Sequence, residues 1–196
     1  MRRLLWIASL TLLIQNWGLA QAQDSTGNTK GYIIYATAYN KGVYRTFEDF
    51  KYNRPSIVDF SIIHNKPYVN NEKTGRLRKL KDRDAWGYSD GSKVYIKRAR
   101  YQEMLGQGRY CYYVDKGWRL RFIMAPPFIF PTPYSHTVIT NFNTGKSYVL
   151  TKKLLKTILD TDDKELLKEF TAETGKNKKL LIYIDRYNQR NSHKVK

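Results

Sequence analysis

The spacing of apolar residues changes once along this chain, and the change separates a strand-rich part from a helical part. Over residues 56–150 apolar and polar residues alternate with a period of two, as in half-buried strands. Over residues 154–187 the apolar residues recur every three or four positions, as on one face of a helix. Strands followed by helices are typical of α+β domains. We therefore expect an antiparallel sheet, open or barrel-like, with one short N-terminal helix and two or three C-terminal helices.

The strand-rich part contains three predicted hairpins, which share a glycine-containing turn: residues 85–99, 109–124 and 137–150. Asp90-Gly91 lies in the first turn, and this pair is favoured in two-residue hairpin loops because it tolerates positive φ angles. The second turn is predicted at Asp115-Lys116-Gly117 and the third at Asn143-Thr144-Gly145. Residues 31–38 are predicted to add a further short strand.

Capping residues predict where the helices begin and end. Thr46 is a suitable N-cap, and Asp49 can complete a capping box, although Glu or Gln is usual there. Pro55 disfavours helical geometry at the preceding residue and ends this helix. Asp162 is predicted to cap the second of three C-terminal helices. The last of these is predicted over residues 180–187, and a strand over residues 180–184 is the alternative.

The first 22 residues have the three parts of a secretory signal peptide. Arg2 and Arg3 provide the positive start, residues 4–14 are an almost unbroken apolar run, and Ala20-Gln21-Ala22 supplies small residues at the cleavage point. The run is too short for a membrane-spanning helix, which needs about 20 residues. We expect cleavage after Ala22 or Gln23, and an uncleaved anchor is the alternative.

The expected organisation follows from this leader. It comprises a signal peptide (1–22), a disordered polar tail (23–30) and a single α+β domain (31–196), mainly strand over 31–150 and mainly helix over 151–190. The protein is expected to be exported to the periplasm, the outer envelope or the extracellular space.

The charge of the chain predicts anionic partners. The formal net charge is +18, and +16 remains once Arg2 and Arg3 leave with the signal peptide. Such a surplus attracts polyanions and raises their encounter rates. For an exported protein these are acidic polysaccharides and anionic membrane surfaces, and no nucleic acid partner is expected. The alternative is that the charge only keeps the protein soluble.

Basic residues interleaved with aromatic ones mark a candidate binding surface. The predicted binding residues are Arg98, Arg100, Tyr101, Arg119 and Arg121, with Lys93, Tyr95, Lys97 and Arg109 nearby in the predicted strands. Guanidinium groups bind carboxylate, sulfate or phosphate in a bidentate manner, and aromatic rings stack on sugars. The alternative is an ordinary antiparallel sheet, because tyrosine favours strands and arginine is common on solvent faces.

Catalytic and metal-binding motifs were sought among the titratable residues. Cys111 is the single cysteine and is expected to be a buried apolar side chain. The histidines are scattered, and no metal-ligand spacing or nucleophile motif occurs. Asp82 and Asp84 would share one side of a strand, and the acidic run 160–165 is better explained by helix capping than by calcium. We predict no cofactor, no metal site and no catalytic residue, with a hydrolase using Cys111 and His136 as the minority alternative.

Several segments resemble a family of small uncharacterised exported proteins from Bacteroidota. They are GVYRTFEDFKYNRPSI, AWGYSDGSKVYI, GRYCYY, NTGKSYVLT and LLIYIDRYNQRN, and the likeness spans nearly the whole chain after the leader. The resemblance implies a bacterial origin and an envelope or extracellular location, but it brings no activity and no site residues. The sequence thus predicts an exported basic binding protein for anionic glycan or lipid, with a structural component of an envelope complex as the alternative.

Overall fold

Ten strands and four α-helices occur in the part of the chain that the computed structural model describes, namely residues 31–71, 74–122, 129–175 and 179–195. The strands are β1 Gly42–Tyr44, β2 Ser61–Ile63, β3 Lys66–Asn70, β4 Leu77–Lys79, β5 Gly87–Ser89, β6 Val94–Lys97, β7 Tyr101–Gly106, β8 Tyr110–Phe122, β9 Ile129–Asn141 and β10 Ser147–Val149. The helices are α1 Phe47–Lys51, α2 Lys152–Asp162, α3 Lys164–Ala172 and α4 Leu180–Arg190.

Seven antiparallel strands form the main sheet, in the order β1-β5-β6-β7-β8-β9-β10. Strands β2, β3 and β4 form a separate antiparallel sheet, called here the small sheet. The predicted α+β class, with an antiparallel sheet, a short N-terminal helix and three C-terminal helices, is confirmed. Among the described strands β1 and β10 are the two edges of the main sheet, so the sheet is open and not a barrel.

One side of the main sheet, called here the N-terminal face, is apolar at its centre. Successive residues of a strand point to opposite sides, so Cys111 and Tyr113 of β8 share this face. Phe50 of α1 packs in the same cluster as Cys111, and Trp86 packs in the cluster of Tyr113 and Val138. The rings of Phe50 and Trp86 lie 4.3 Å apart between centroids. This side of the sheet is therefore covered by α1 and the segments next to it.

The opposite side of the main sheet, called here the helix face, has two separate covers. At the β8–β9 end it carries Tyr110 and Ile139, and helices α2, α3 and α4 pack on them. At the β5–β7 end it carries Tyr88 and Tyr101, which pack with Leu80 and other residues beside the small sheet. The strands between these two covers keep part of the helix face open.

The second predicted hairpin is wrong, because β8 continues through residues 115–117 and pairs with β9 along the whole of both strands. Gly117 lies opposite Tyr134, and a Cβ atom at Gly117 would be 2.7 Å from atoms of the tyrosine ring. The glycine leaves room for a ring within a strand instead of forming a turn. Residues 123–128, which connect β8 to β9 and include the predicted strand end at Met124, lie outside the described residues.

The first and third predicted hairpins are confirmed. Strands β5 and β6 pair with Ser89 opposite Val94, and β9 pairs with β10. In the first hairpin the central pair of the turn is Gly91-Ser92 instead of Asp90-Gly91. Gly91 has a φ of 101°, as the first central position of a type II′ turn requires.

The capping box predicted at α1 is confirmed. Thr46 Oγ1 accepts a hydrogen bond from the Asp49 backbone N–H, and Asp49 Oδ2 accepts one from the Thr46 backbone N–H, both at 3.0 Å. Asp49 Oδ2 also accepts from the Arg45 backbone N–H at 3.0 Å. Burial opposes ionisation of Asp49, but these bonds and one from Ser56 outweigh it and lower the pKa of the carboxyl group.

Three local predictions need correction. The cap of α3 is Asp163, one residue later than predicted, and its Oδ1 accepts from the Leu166 backbone N–H at 3.0 Å. Asp162 instead ends α2. The strand alternative for residues 180–184 is wrong, because α4 runs through them. Residues 31–38 contain the 3-10 helix Ile33–Tyr35 instead of a strand, and Ile33 is buried there.

Replacing Thr46 with alanine should lower the free energy of unfolding by about 1 kcal/mol, because the Asp49 N–H loses its acceptor. Urea denaturation followed by circular dichroism measures the change. Thr37→Ala is a matched control, since Thr37 is exposed and precedes the helix. Equal midpoints for the two variants would show that the capping box contributes nothing.

Candidate functional site

A basic cleft of about 630 Å³ opens on the helix face, between the small sheet and β8. It is lined by His64, Asn65, Lys66, Lys79, Lys97, Ala99, Arg100, Tyr101, Gln102 and Lys116. These residues come from the β2–β3 turn, the end of β4, the β6–β7 turn with its flanking strands, and the middle of β8. The cleft therefore lies where the two covers of the helix face leave the sheet open.

Positive charge dominates the basic cleft. Five of the described residues that line it are lysine or arginine. The described lining contains no aspartate and no glutamate. Lys66, Lys79 and Lys116 form no ion pair with any acidic side chain that the structure describes. Outside the cleft, by contrast, Lys93 Nζ lies 2.9 Å from Glu103 Oε1. Like charges gathered in a concave site concentrate the field on an entering anion.

The β2–β3 turn forms one wall of the cleft and has an unusual backbone. His64 and Asn65 have φ angles of 49° and 59°, the positive values that a two-residue type I′ turn needs at both central positions. Glycine is common in such turns, and a histidine at positive φ costs conformational energy. The strained turn carries both side chains to the cleft.

Asn65 joins this turn to the main sheet. Its Nδ2 donates to the Tyr101 carbonyl oxygen at 3.3 Å, and its Oδ1 accepts from the Tyr88 hydroxyl group. Burial and the neighbouring phenol of Tyr95 raise the pKa of Tyr88 above its usual range, so the hydroxyl remains a donor at neutral pH. These bonds hold the wall of the cleft against its floor.

Tyr101 and Lys97 form the floor. They are direct partners in the β6–β7 register, and Lys97 Nζ lies 5.2 Å from the centroid of the Tyr101 ring. Lys97 Nζ also donates to the Ala99 carbonyl oxygen at 3.4 Å. Tyr101 is only 6% exposed, so its ring supports the lysine from below and offers no open surface for stacking.

The structure divides the predicted binding residues among three places. Arg100 and Tyr101 line the basic cleft, whereas Arg98 is exposed in the same turn but is not among the lining residues. Arg119 lies on the N-terminal face of the β8–β9 pair. Arg121 follows on the same strand, and its side chain lies outside the description.

Arg119 has partners of its own on that face. Its guanidinium carbon lies 4.8 Å from the centroid of the Tyr134 ring, and its Nη2 is 2.8 Å from Nε2 of His136. Arg109, which the sequence predicts to lie near the candidate binding surface, instead contacts Asp162 at 3.2 Å and the Tyr187 hydroxyl at 2.7 Å. It links α2 and α4 to the sheet.

Three cationic side chains of the cleft were missed from the sequence. Lys66 and Lys79 belong to the small sheet, and no local pattern indicates that this sheet lies beside the β6–β7 turn. For Lys116 the sequence predicts a turn, because Asp115-Lys116-Gly117 has turn composition. Recognition of one continuous strand from Tyr110 to Phe122 would have placed Lys116 on the same face as Tyr110.

The residues considered for catalysis do not converge. Cys111 is buried, its Sγ donates to the Gly108 carbonyl oxygen at 3.6 Å, and burial raises the pKa of the thiol to about 12. Thr140 is opposite Cys111, and His136 lies four residues further along β9, about 13 Å away. Asp82–Asp84 is a 3-10 helix, so strand alternation does not bring its carboxylates to one side.

The described residues contain no group of three or more His, Cys, Asp or Glu side chains that could hold a metal ion. No helix among them is long and apolar enough to cross a membrane.

Comparison with known proteins adds no family and no function. No protein-family model, no curated protein and no solved structure matches this chain. The resemblance to exported proteins of Bacteroidota stays a prediction, and function has to be argued from the site itself.

The Asn65 contacts predict a graded loss of stability. Asn65→Gly removes both side-chain hydrogen bonds but suits the positive φ, and should cost about 1–2 kcal/mol. Asn65→Ala also strains the turn and should cost about 1 kcal/mol more. Urea denaturation measures both values. An alanine variant as stable as the unmodified protein would show that the turn is not held by Asn65.

The buried thiol predicts low reactivity. In the native protein at pH 8, Cys111 should react with an aromatic disulfide reagent at least about 100-fold more slowly than in urea, where one thiol per chain should react at once. Absorbance of the released thiolate measures both rates. Rapid native labelling would contradict the buried assignment.

Proposed function

We propose that this chain is an exported basic binding protein that takes acidic polysaccharide into the basic cleft. One observation carries the proposal: five cationic side chains line a cleft to which no described acidic side chain contributes. Placing like charges close together lowers the stability of the folded protein. The same charges attract an anion, so an anion is the ligand that this cleft suits.

The individual side chains suit carboxylate or sulfate groups. Lysine ammonium groups are flexible point charges that can follow a repeating anionic chain, and Lys66, Lys79 and Lys116 approach the cleft from three different strands. Arg100 adds a planar fork that can bind a carboxylate through two hydrogen bonds. His64 and Gln102 provide further polar groups for sugar hydroxyls.

The concave shape favours a saccharide over a flat membrane surface. A chain of sugars can enter a cleft, whereas headgroups in a bilayer plane reach mainly the parts of a protein that project. The predicted signal peptide supports the same choice, because acidic polysaccharides are abundant outside the cytoplasm and nucleic acid is not expected there.

Charge reversal in the cleft is the direct test. The variant Lys66→Glu/Lys79→Glu/Lys116→Glu should bind polygalacturonate about 100-fold more weakly than the unmodified protein at low salt, since each lost pair is worth about 1 kcal/mol. Isothermal titration calorimetry on residues 23–196 measures the affinity. Binding by the unmodified protein should weaken as salt is raised.

A matched control separates the cleft from net charge. Lys152→Glu/Lys153→Glu/Lys164→Glu changes the charge equally at exposed positions in the first turns of α2 and α3, where negative side chains suit the helix dipole. This variant should lose less than about fivefold in affinity.

The remaining outcomes decide against the proposal. Equal losses of affinity in both triple variants would mean that the polysaccharide is attracted by the net charge of the protein and not by a site in the cleft. Binding to vesicles containing phosphatidylglycerol, with none to polygalacturonate or to a sulfated polysaccharide, would favour a lipid surface. Absence of binding to any of these polyanions would favour the structural or interaction role.

A further inference from the structure

A shallow groove continues from the basic cleft along the β8–β9 pair. Its volume is about 450 Å³, and Trp118, Pro133 and Tyr134 are among the residues that line it. Arg100 and Lys116 line both the groove and the cleft. The two hollows are therefore neighbours that share two cationic side chains.

Trp118 is the most unusual residue of the groove. It is 64% exposed and lies opposite Pro133 in the β8–β9 register. It also lies two residues beyond Lys116 on the same face of β8, about 7 Å along the strand. A large exposed aromatic side chain beside a charged cleft is a feature of ligand-binding surfaces.

The surroundings of Trp118 argue against a second strand as its occupant. Pro131 and Pro133 lack backbone N–H groups, so this part of β9 has fewer hydrogen-bond donors for an added strand. Proline on an edge protects it against strand addition. The groove is thus better suited to a ligand that packs against side chains than to one that pairs with the backbone.

We propose that the cleft and the groove are consecutive subsites for one extended acidic polysaccharide chain. This inference rests on the proposed function. One acidic sugar unit binds among the cations of the cleft, and a following unit lays the C–H face of its ring on the indole of Trp118. Arg100 and Lys116, at the junction, contact the acidic groups of both units.

Such a site has a minimum ligand length. A single uronic acid bound among the cations of the cleft does not reach Trp118, whereas a chain of a few units occupies both hollows. Affinity should therefore increase steeply over the first few units of an oligogalacturonide series and then level off. Binding that depended on charge alone would continue to rise with each added unit.

The mature chain provides its own reporter. Residues 23–196 contain two tryptophans. Trp86 is partly buried and packs against Phe50, with ring centroids 4.3 Å apart, whereas Trp118 is 64% exposed. Oligogalacturonides that cover the indole should change the emission of Trp118. Galacturonic acid itself should leave the emission unchanged.

The decisive experiment compares Trp118→Ala with the unmodified protein across the oligogalacturonide series by titration calorimetry. We expect the variant to bind hexamers about 10–30-fold more weakly and galacturonic acid equally well. Trp118→Phe should retain most of the hexamer affinity, because it keeps an aromatic face. Tyr148→Ala, which removes a 43% exposed ring from β10, is the matched control and should have no effect.

The outcomes distinguish the two proposals. Hexamer binding that is sensitive to charge reversal in the cleft but unchanged by Trp118→Ala would overturn the stacking subsite and leave the proposed function intact. Equal affinities for galacturonic acid and for the hexamer would also overturn the stacking subsite and leave the proposed function intact. Failure of all acidic saccharides to bind the unmodified protein would overturn both.

Discussion

Both faces of the main sheet carry apolar clusters, and the rest of the structure follows from the need to cover them. A solvent-exposed sheet face of this composition would forfeit the burial that stabilises a domain of this size. The N-terminal face has one cover, built around α1. The helix face has two, the small sheet at one end and helices α2–α4 at the other. The interval between them is where the basic cleft lies.

The fold brings cationic side chains together in the cleft, and their mutual repulsion lowers the stability of the folded protein. Outside the cleft, some basic side chains of the described structure have an acidic partner, as Arg109 has Asp162 and Arg190 has Glu165. In the cleft, Lys66, Lys79 and Lys116 form no ion pair with a described acidic side chain, and the strained β2–β3 turn is held in place by Asn65. An arrangement that opposes stability and is nevertheless maintained by specific contacts is what a binding site requires.

The long β8–β9 pair extends the site beyond the cleft. Gly117 allows β8 to continue because the ring of Tyr134 occupies the space above it, so the strand carries Lys116 and Trp118 onward on one face. The same register puts Arg119 on the opposite face. Alternation along the strand therefore decides which basic residues can share a ligand and which cannot.

The sequence by itself determined the fold class, the two outer hairpins, the capping box at Thr46 and the three C-terminal helices, because each depends on residues close together in the chain. It misplaced the turn at Gly117, since glycine opposite an aromatic ring and glycine in a turn have the same local pattern. Only the tertiary structure decided the site. Lys66, Lys79 and Lys116 meet because the small sheet packs against distant strands, and long-range packing of this kind leaves no periodic signal in the residues that it joins.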